Sequence, residues 1–444
     1  MLIKNISYLV TVNPEGRVIR DAAVRIEGNK IVEIGESYRL KRVGDEEIVD
    51  ASKKAVIPGL VNTHTHAAMS LMRGLADDLP LMEWLKDYIW PVEWKSVNKD
   101  YCYVGSLLSC LEMVRNGITT FADMYFHEDA CARAVEESGM RACLSTGIFD
   151  AGLEGRATPE ASSIQEAVEI NERVYKEWHG KDGRINIGFG PHSVYTCDLE
   201  TLQKIRELAD KYKTLIQIHL AETEDEIKQV REKYGRHPVE LLESIGFLGS
   251  NMLASHCVWL DSNHIGILKK YGVKVAHSPV SNMKLASGTA PVPEMLEKGI
   301  VVGLSTDGAV SNNDLDLFEE MKVAALLHKN NMKNPTVLPA GKVLEMATIG
   351  GARVLGLEKE IGSIEIGKRA DLTFIDLRKA HLVPMYSIFS HIVYAVESAD
   401  VSGVIIDGRK IFWDGRVLTI DEDKILDKAE SKAEEIRGML KAKG

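Results

Sequence analysis

The pattern of hydrophobic and polar positions divides the chain into three parts. Near both ends, short apolar runs are separated by turn residues such as Asn13-Pro14-Glu15-Gly16, which predicts β-strands. The strand candidates cover residues 1–5, 22–26, 30–34, 362–368, 371–376 and 404–408. Neither set is large enough to stand alone, so we expect residues 1–55 and 362–420 to pair into one small β-sandwich domain. A charged amphipathic pattern over residues 421–444 predicts a solvated surface helix.

Residues 56–361 alternate short, β-rich apolar runs with longer helical stretches, which favours βα units and a parallel sheet. Eight runs are strand candidates: 56–62, 118–124, 141–147, 185–190, 214–220, 252–257, 273–277 and 301–306. Helical stretches between them include residues 101–115, 164–178 and 199–211. Eight repeats predict an α/β fold, a closed (β/α)8 TIM barrel, with its functional site at the C-terminal ends of the strands.

Composition narrows the class of protein. Of 444 residues, 45% are hydrophobic and 27% charged, which is typical of a soluble globular protein. The net charge of -11 and the lack of a long basic run argue against nucleic-acid binding. The six cysteines form no CxxC pair, and no signal peptide or apolar run of about 20 residues is present. We therefore expect a cytoplasmic protein with reduced thiols and no membrane contact.

Two histidines end the first strand of the predicted barrel. An apolar run from Ala55 to Val61 is followed, after Asn62 and Thr63, by His64 and His66. Because side chains alternate faces along a strand, residues i and i+2 project to the same side, and two imidazoles there can bind one metal ion. Taken alone, the pair is equally consistent with two structural histidines.

Other predicted strands end in metal-capable residues as well. The fourth strand runs into His192, the fifth ends at His219 and is followed by Glu222, the sixth ends at His256, and the eighth is followed by Asp307. A lone histidine at a strand end is more often structural, but four strand ends with the same property favour a shared site.

These residues predict a site for one metal ion, with His64, His66, His219 and Asp307 as ligands and one position left for water. Imidazole nitrogen with carboxylate oxygen suits Zn²⁺, and Fe²⁺ would also be accepted. A two-metal site typically needs a carboxylated lysine at the fourth strand end, where this chain has Pro191-His192-Ser193. Water bound to such a metal has a pKa of about 7, which makes hydroxide available at neutral pH.

A set of motifs across almost the entire chain carries a family resemblance. The motifs are Pro58-Gly59-Leu60-Val61-Asn62-Thr63-His64-Thr65-His66, Gly190-Pro191-His192-Ser193, His219-Leu220-Ala221-Glu222, Ser255-His256-Cys257, His277-Ser278-Pro279-Val280-Ser281-Asn282-Met283-Lys284-Leu285 and Ser305-Thr306-Asp307-Gly308-Ala309. In them the chain resembles the amidohydrolase superfamily and, within its deaminase branch, the methylthioadenosine/S-adenosylhomocysteine deaminases, which include 5'-deoxyadenosine deaminases. The resemblance implies one zinc ion per subunit and a homo-oligomer, with a tetramer common among relatives.

The same resemblance implies a reaction and the residues that perform it. Activated water would attack C6 of an adenosine-type nucleoside (5'-methylthioadenosine, S-adenosylhomocysteine, 5'-deoxyadenosine or adenosine), giving the inosine analogue and ammonia. Asp307 would take the proton of the water and deliver one to the departing ammonia. Glu222 would protonate the ring nitrogen next to C6, and His256 would orient the attacking hydroxide. Each transfer is general acid–base catalysis, worth about 10²–10⁴ in rate. The alternative for Glu222 is a carboxylate that stabilises a helix N-terminus.

Three further residues are implied to bind the substrate. Glu93 would accept hydrogen bonds from the ribose hydroxyls, His192 would contact the nucleoside, and Arg156 would correspond to a substrate-binding arginine of the family. The alternatives are an exposed loop carboxylate for Glu93 and support of the metal site for His192. Relatives that accept S-adenosylhomocysteine can carry an arginine before the glycine that ends the third strand. Thr146 precedes Gly147 here, which favours uncharged 5' groups.

Two other functions compete with this interpretation. A guanine, cytosine or triazine hydrolase, including a chlorohydrolase, would share the metal ligands and differ in the pocket, but it would not need Glu93. An inactive assembly module would typically have lost metal ligands, and all four predicted ligands are present. The zinc-dependent cytidine and tRNA deaminases are excluded because their H-x-E and P-C-x-x-C signature is absent.

Overall fold

The chain begins with five strands of a small mixed sheet. The computed structural model describes residues 1–79, 81–150 and 157–441. The five strands are β1 (Leu2–Val10), β2 (Val18–Glu27), β3 (Lys30–Glu36), β4 (Ile48–Asp50) and β5 (Lys54–Pro58). Strand β2 pairs antiparallel with β1 and β3, whereas β4 and β5 lie parallel to β1.

The next eight strands form a parallel barrel in which the order of the strands follows the chain. They are β6 (Leu60–Thr65), β7 (Ile118–Tyr125), β8 (Arg141–Ile148), β9 (Ile185–Pro191), β10 (Ile216–Leu220), β11 (Met252–His256), β12 (Lys274–His277) and β13 (Val302–Leu304). Every residue of β7 and β8 is buried. Burial of both faces is what a parallel sheet covered by helices requires.

Helices follow the barrel strands and cover the outside of the barrel. The first helical segment consists of α1 (Leu81–Glu83), a π-helical turn (Trp84–Ile89) and α2 (Trp90–Ser96). The following helices are α3 (Lys99–Arg115), α4 (Glu128–Ser138), α5 (Ile164–Trp178), α6 (Leu199–Tyr212), α7 (Glu224–Tyr234), α8 (Pro238–Ser244), α9 (Ser262–Tyr271), α10 (Pro279–Lys284), α11 (Val292–Glu297), α12 (Ala309–Asn312), α13 (Leu317–Asn331), α14 (Ala340–Glu345) and α15 (Gly351–Leu355). Of the described helices, none is long and apolar enough to cross a membrane.

The last part of the chain returns to the small sheet. It contains β14 (Leu372–Asp376), α16 (Ile388–Tyr394), β15 (Val401–Ile406), β16 (Arg409–Trp413), β17 (Arg416–Val417) and α17 (Glu422–Lys441). The order along this sheet is β17-β16-β15-β14-β5-β1-β2-β3, so strands from the two ends of the chain meet where β14 pairs with β5. Helix α17 packs on α3, and Ile425 contacts a cluster with Leu107 and Leu111.

The barrel closes between its first and last strands. The Asp307 backbone N–H donates to His64 O over 3.1 Å, and Thr63 Oγ1 donates to Leu304 O over 2.9 Å. Asn62 adds a side-chain hydrogen bond to Thr306 Oγ1 of 2.7 Å. The predicted fold class, a (β/α)8 barrel with a small β domain made from both chain ends, is confirmed. The division into residues 1–55 plus 362–420, 56–361 and 421–444 stays a prediction.

Two predicted strands differ from the structure. The candidate at 56–62 is two strands, because the chain passes from the small sheet to the barrel at Gly59. A Cβ there would lie 2.2 Å from Thr119 Oγ1, so only glycine fits. The candidate at 362–368 is wrong. Gly362 and Gly367 have φ of 85° and 90°, which turns the backbone at both ends of this segment, although Ile364 is buried as a strand residue would be.

A buried ion pair joins the barrel to the small sheet at the N-terminal end of β8. Arg141 Nε lies 3.0 Å from Asp371 Oδ2, and both side chains are 2% exposed. The Arg141 Nη1 group donates to Gly183 O over 2.7 Å, and the Asp407 backbone N–H donates to Asp371 Oδ1 over 2.7 Å. This network lies at the end of the barrel opposite the C-terminal strand ends.

Candidate active site

The C-terminal ends of the barrel strands bring the four predicted metal ligands together. His64 Nε2 lies 3.6 Å from Asp307 Oδ1, and His66 Nε2 lies 3.3 Å from the same oxygen. His66 Nε2 is also 3.3 Å from His219 Nε2. His64 is completely buried, whereas the side chain of His66 is 16% exposed, toward a cavity.

Backbone carbonyls determine which nitrogen of these imidazoles carries the hydrogen. His66 Nδ1 lies 2.6 Å from Met124 O, and His219 Nδ1 lies 2.9 Å from His192 O. A carbonyl only accepts, so both Nδ1 atoms carry a hydrogen and both Nε2 atoms keep a lone pair. Two lone pairs that face each other at 3.3 Å need a cation between them.

The surroundings of His64 fit the same ion. Neither ring nitrogen of this buried side chain has a hydrogen-bond partner among the described residues. Burial lowers the pKa of His64 and of His219 well below the usual range, which keeps both imidazoles neutral. Neutral imidazoles with unpaired nitrogens are the form in which histidine binds a metal.

Asp307 is held by several hydrogen bonds. Its Oδ2 accepts from Ser281 Oγ at 2.7 Å and from Ser311 Oγ at 2.9 Å, while Oδ1 accepts from the Gly308 N–H at 2.8 Å. Burial alone would raise the pKa of Asp307, but the imidazoles of His66, His256 and His64 and the Ser281 hydroxyl outweigh burial and lower the pKa. Asp307 is therefore an ionised carboxylate that faces the histidines.

Glu222 and His256 lie next to the metal ligands. His256 Nε2 is 3.9 Å from Glu222 Oε2, and His256 Nδ1 is 2.9 Å from Asn282 Oδ1. Burial raises the pKa of Glu222. His256 has φ of 70° and Asp307 has φ of 63°, a left-handed conformation that non-glycine residues adopt mainly at functional sites.

A cavity of about 720 Å³, including its mouth, opens over these residues. Glu93 lines it from α2 and is only 7% exposed, so it is not a carboxylate of an exposed loop. Tyr125 Oη donates to Glu93 Oε1 over 2.7 Å. Burial raises the pKa of Glu93 to about 7, against the effect of this hydrogen bond.

His192 both lines the cavity and supports a metal ligand. Its ring stacks on Phe149 with a centroid distance of 4.3 Å, and its backbone carbonyl accepts the hydrogen bond from His219 Nδ1. Thr146 is 1% exposed and does not line the cavity, although Gly147 does. Arg156 lies outside the described residues.

The aromatic walls of the cavity were not predicted from the sequence. They are formed by Trp84, Trp90, Tyr125, Phe126, Phe149 and Tyr195. Tyr125 is the last residue of β7, and Phe149 follows the last residue of β8. The rule that a barrel site is built at the strand ends could therefore have identified these two.

Comparisons with a family model, with curated proteins and with solved structures all point to amidohydrolases or nucleoside deaminases. The model of the amidohydrolase family matches residues 55–411. Over 437 residues the chain is 48% identical to the 5'-deoxyadenosine deaminase of Methanosarcina barkeri, with 98% of each chain covered. It is 46% identical over 440 residues to the 5-methylthioadenosine/S-adenosylhomocysteine deaminase of Pelotomaculum thermopropionicum, again with 98% of each covered. The structure of an adenosine deaminase from Xanthomonas campestris with bound zinc superimposes with a TM-score of 0.95 at 34% identity, covering 98% of both chains.

Proposed function

This chain belongs to the amidohydrolase family, and from that membership we propose that it is a zinc-dependent hydrolytic deaminase of adenosine-type nucleosides. The substrates are 5'-deoxyadenosine, 5'-methylthioadenosine, adenosine and S-adenosylhomocysteine, and the products are the inosine analogues and ammonia. One observation carries the proposal: Glu222, His256 and Asp307 border the same cavity as the buried carboxyl group of Glu93.

The donor set fits a zinc ion held by His64, His66, His219 and Asp307, because zinc prefers neutral imidazoles and carboxylates. When bound, the ion supplies a water molecule whose pKa is lowered to about 7. The hydrogen bonds from His66 Nδ1 and His219 Nδ1 to backbone carbonyls keep the two imidazoles oriented for this role.

Two side chains transfer the protons, and a third orients the water. Asp307 accepts the proton of the attacking water and later delivers a proton to the departing ammonia. The raised pKa of Glu222 favours its protonated form, which donates to the ring nitrogen beside C6. His256 orients the water from the side of Glu222. The C6–O bond forms and the C6–N bond breaks. The C6 hydroxyl returns a proton to Glu222 as it becomes the carbonyl, and one water is consumed for each ammonia released.

The cavity accounts for the choice of a nucleoside. Glu93, when ionised, accepts hydrogen bonds from the ribose hydroxyls. A guanine, cytosine or triazine hydrolase would not need this carboxylate, because its substrate has no ribose. His192 contacts the nucleoside as well, and Arg156, which lies outside the described residues, is the third substrate-binding residue of the proposal. Thr146 precedes Gly147 at the place where relatives that accept S-adenosylhomocysteine can carry an arginine, which favours uncharged 5' groups.

An assay of the four nucleosides side by side tests the proposal. We expect the adenine-to-hypoxanthine absorbance change together with ammonia release, fastest for 5'-deoxyadenosine and 5'-methylthioadenosine. Adenine, guanine and a chlorinated triazine serve as controls. If metal-replete protein turns over none of the four nucleosides, the proposal is wrong. The homo-oligomer and the cytoplasmic location stay predictions from the sequence.

A further inference from the structure

The turn that carries Glu222 is held by a second glutamate. Glu226, in the first turn of α7, is 2% exposed. Its Oε1 accepts the backbone N–H of Ala221 at 2.9 Å, and its Oε2 accepts the N–H of Glu222 at 2.8 Å. One buried carboxylate thus binds two successive peptide N–H groups directly after β10.

This turn has an unfavourable backbone conformation. Ala221 has φ of 52°, in the left-handed region that a residue with a Cβ avoids unless its surroundings fix it. The two hydrogen bonds to Glu226 supply that fixation. Because the Glu222 carboxylate is 3.9 Å from His256 Nε2, beyond hydrogen-bond distance, its direction is set by the backbone turn and not by a bond to His256.

The same turn also holds the loop of His256. Ala221 O accepts the N–H groups of Val258 and Trp259 at 3.0 and 2.9 Å, and Leu220 O accepts that of Cys257 at 3.0 Å. His256 is itself left-handed, with φ of 70°. The Ala221 peptide therefore connects the two loops that present Glu222 and His256 to the cavity.

We propose that Glu226 is a positioning residue that fixes the Glu222 carboxyl group, and with it the His256 loop, for proton transfer. The role of Glu222 in this statement rests on the proposed function. Glu226 does not itself line the cavity. Its effect on the reaction passes through the Ala221–Glu222 turn.

The test is Glu226→Gln. The carboxamide can accept only one of the two N–H groups and turns its own NH₂ toward the other. We expect kcat to fall about 10- to 100-fold, the range for losing an outer support of a catalytic group, with KM nearly unchanged. Glu240→Gln is the matched control. Glu240 occupies the same third position in α8, where its Oε2 accepts the His237 N–H at 3.1 Å. It does not line the cavity, and this variant should keep wild-type turnover.

A double-mutant cycle separates positioning from a general structural effect. In the Glu222→Gln background, measured in single turnovers with enzyme in excess, Glu226→Gln should add little further loss. The proposal is overturned if Glu226→Gln lowers the rate equally in both backgrounds or in neither. It is also overturned if the loss of rate follows metal content or Tm.

Hydrogen exchange separates this inference from the proposed function. Peptides spanning residues 219–224 should exchange faster in Glu226→Gln than in the wild type, whether or not any nucleoside is turned over. If the variant exchanges faster but the wild type turns over no nucleoside, the positioning role stands and only the proposed function is refuted. Unchanged exchange would refute the positioning role alone.

Discussion

At the scale of single residues, the imidazoles of His66, His219 and His256 are oriented through Nδ1, the nitrogen that points away from the cavity. Met124 O and His192 O bind the Nδ1–H groups of His66 and His219, and Asn282 Oδ1 binds Nδ1 of His256. Such outer contacts fix the tautomer and leave Nε2 free. Of the three partners, only Met124 lies outside the motifs that carry the family resemblance.

Removal of the metal should abolish activity and lower stability. A chelator-treated protein is expected to lose deaminase activity and recover it with zinc. With free zinc at about 1,000 times Kd, bound metal should add about 4 kcal/mol to the free energy of unfolding. Thermal unfolding with and without zinc, together with metal analysis, checks this. His66→Asn should bind zinc much more weakly, and full activity of the metal-free protein would contradict the assignment.

Glu93 should make the reaction pH-dependent. Since its pKa is raised to about 7, kcat/KM for ribosides should rise as the pH increases through about 7 and the carboxylate forms. Glu93→Gln should remove this rise and cost about 10- to 100-fold in kcat/KM above pH 7, the value of a hydrogen bond to a charged group. An equal loss for free bases would contradict the ribose contact.

The same pKa has a consequence for stability. The folded-state pKa of Glu93 lies above its ordinary value of 4.5, so the folded state binds the proton more tightly. The corresponding stability is fully present below pH 4.5 and is lost as the pH rises through about 7. Denaturant titrations of wild type and Glu93→Gln should therefore diverge in slope against pH within this window, with the variant losing less stability.

At the scale of elements, the π-helical turn sets which side chains of the segment 81–96 face the cavity. Trp84 and Glu93 are nine positions apart and would lie about 180° apart on a regular α-helix with 3.6 residues per turn. The extra residue of a π turn reduces this to about 80°. Trp84, Ile89 and Glu93 therefore line one cavity together.

Deletion of Lys86, an exposed residue of this turn, should restore a regular α-helix. Either Trp84 or Glu93 then rotates out of the cavity. We expect KM for ribosides to rise about as much as in Glu93→Gln, with metal content unchanged. Lys86→Ala, which keeps the length of the segment, should behave like the wild type. Unchanged kinetics of the deletion variant would show that the turn does not set the orientation of Glu93.

Gly105 permits the close contact between α3 and the 3₁₀ turn Ala67–Met72 that follows His66. A Cβ on Gly105 would lie 2.4 Å from Ala68 O, a backbone atom that cannot move independently. Gly105→Ala should cost about 1–3 kcal/mol of stability through overpacking and weaken metal binding through His66. Gly266→Ala in α9, where a Cβ meets nothing within 4 Å, should instead stabilise by about 0.5–1 kcal/mol. Denaturant unfolding and metal titration of both variants check these signs.

The sequence patterns predicted the barrel and its four metal ligands because both follow from local rules of strand geometry. Strand alternation places His64 and His66 on one side, and parallel strands place their ends at one edge, which brings His219 and Asp307 to the same point. The break at Gly59 was missed because it depends on pairing with distant strands: β5 pairs with β14 of the small sheet, whereas β6 pairs with β7 of the barrel. The π turn was missed because its residues are ordinary helix formers. Glu226 was missed because its role depends on which peptide N–H groups its carboxylate binds.

At the scale of the whole molecule, the barrel and the small sheet are joined by the Arg141–Asp371 pair at the end opposite the cavity. Both side chains are 2% exposed, so the charges are removed from water and stabilise each other only as a complete pair. A substitution in this pair can therefore weaken the contact between the barrel and the small sheet without touching the cavity.

Arg141→Met should leave the Asp371 carboxylate buried without its cation. We expect a loss of about 3–5 kcal/mol in the free energy of unfolding, while the folded fraction keeps its kcat and KM. Arg133→Met is the control, because its pair with Glu137 in α4 is exposed at 59% and 40% and is worth at most about 0.5 kcal/mol. Chemical denaturation followed by both fluorescence and activity measures the difference. Similar losses in the two variants would show that burial of the pair does not matter.

The position of β5 between β1 and β14 has a consequence for biosynthesis. The ribosome releases Lys54–Pro58 long before Leu372–Asp376 exists, and at about 5–20 residues per second the delay is on the order of tens of seconds. Throughout that time the nascent chain exposes an apolar strand edge that can pair with other nascent chains. Slower translation prolongs this exposure, and chaperones that cover the edge should raise the yield of folded protein.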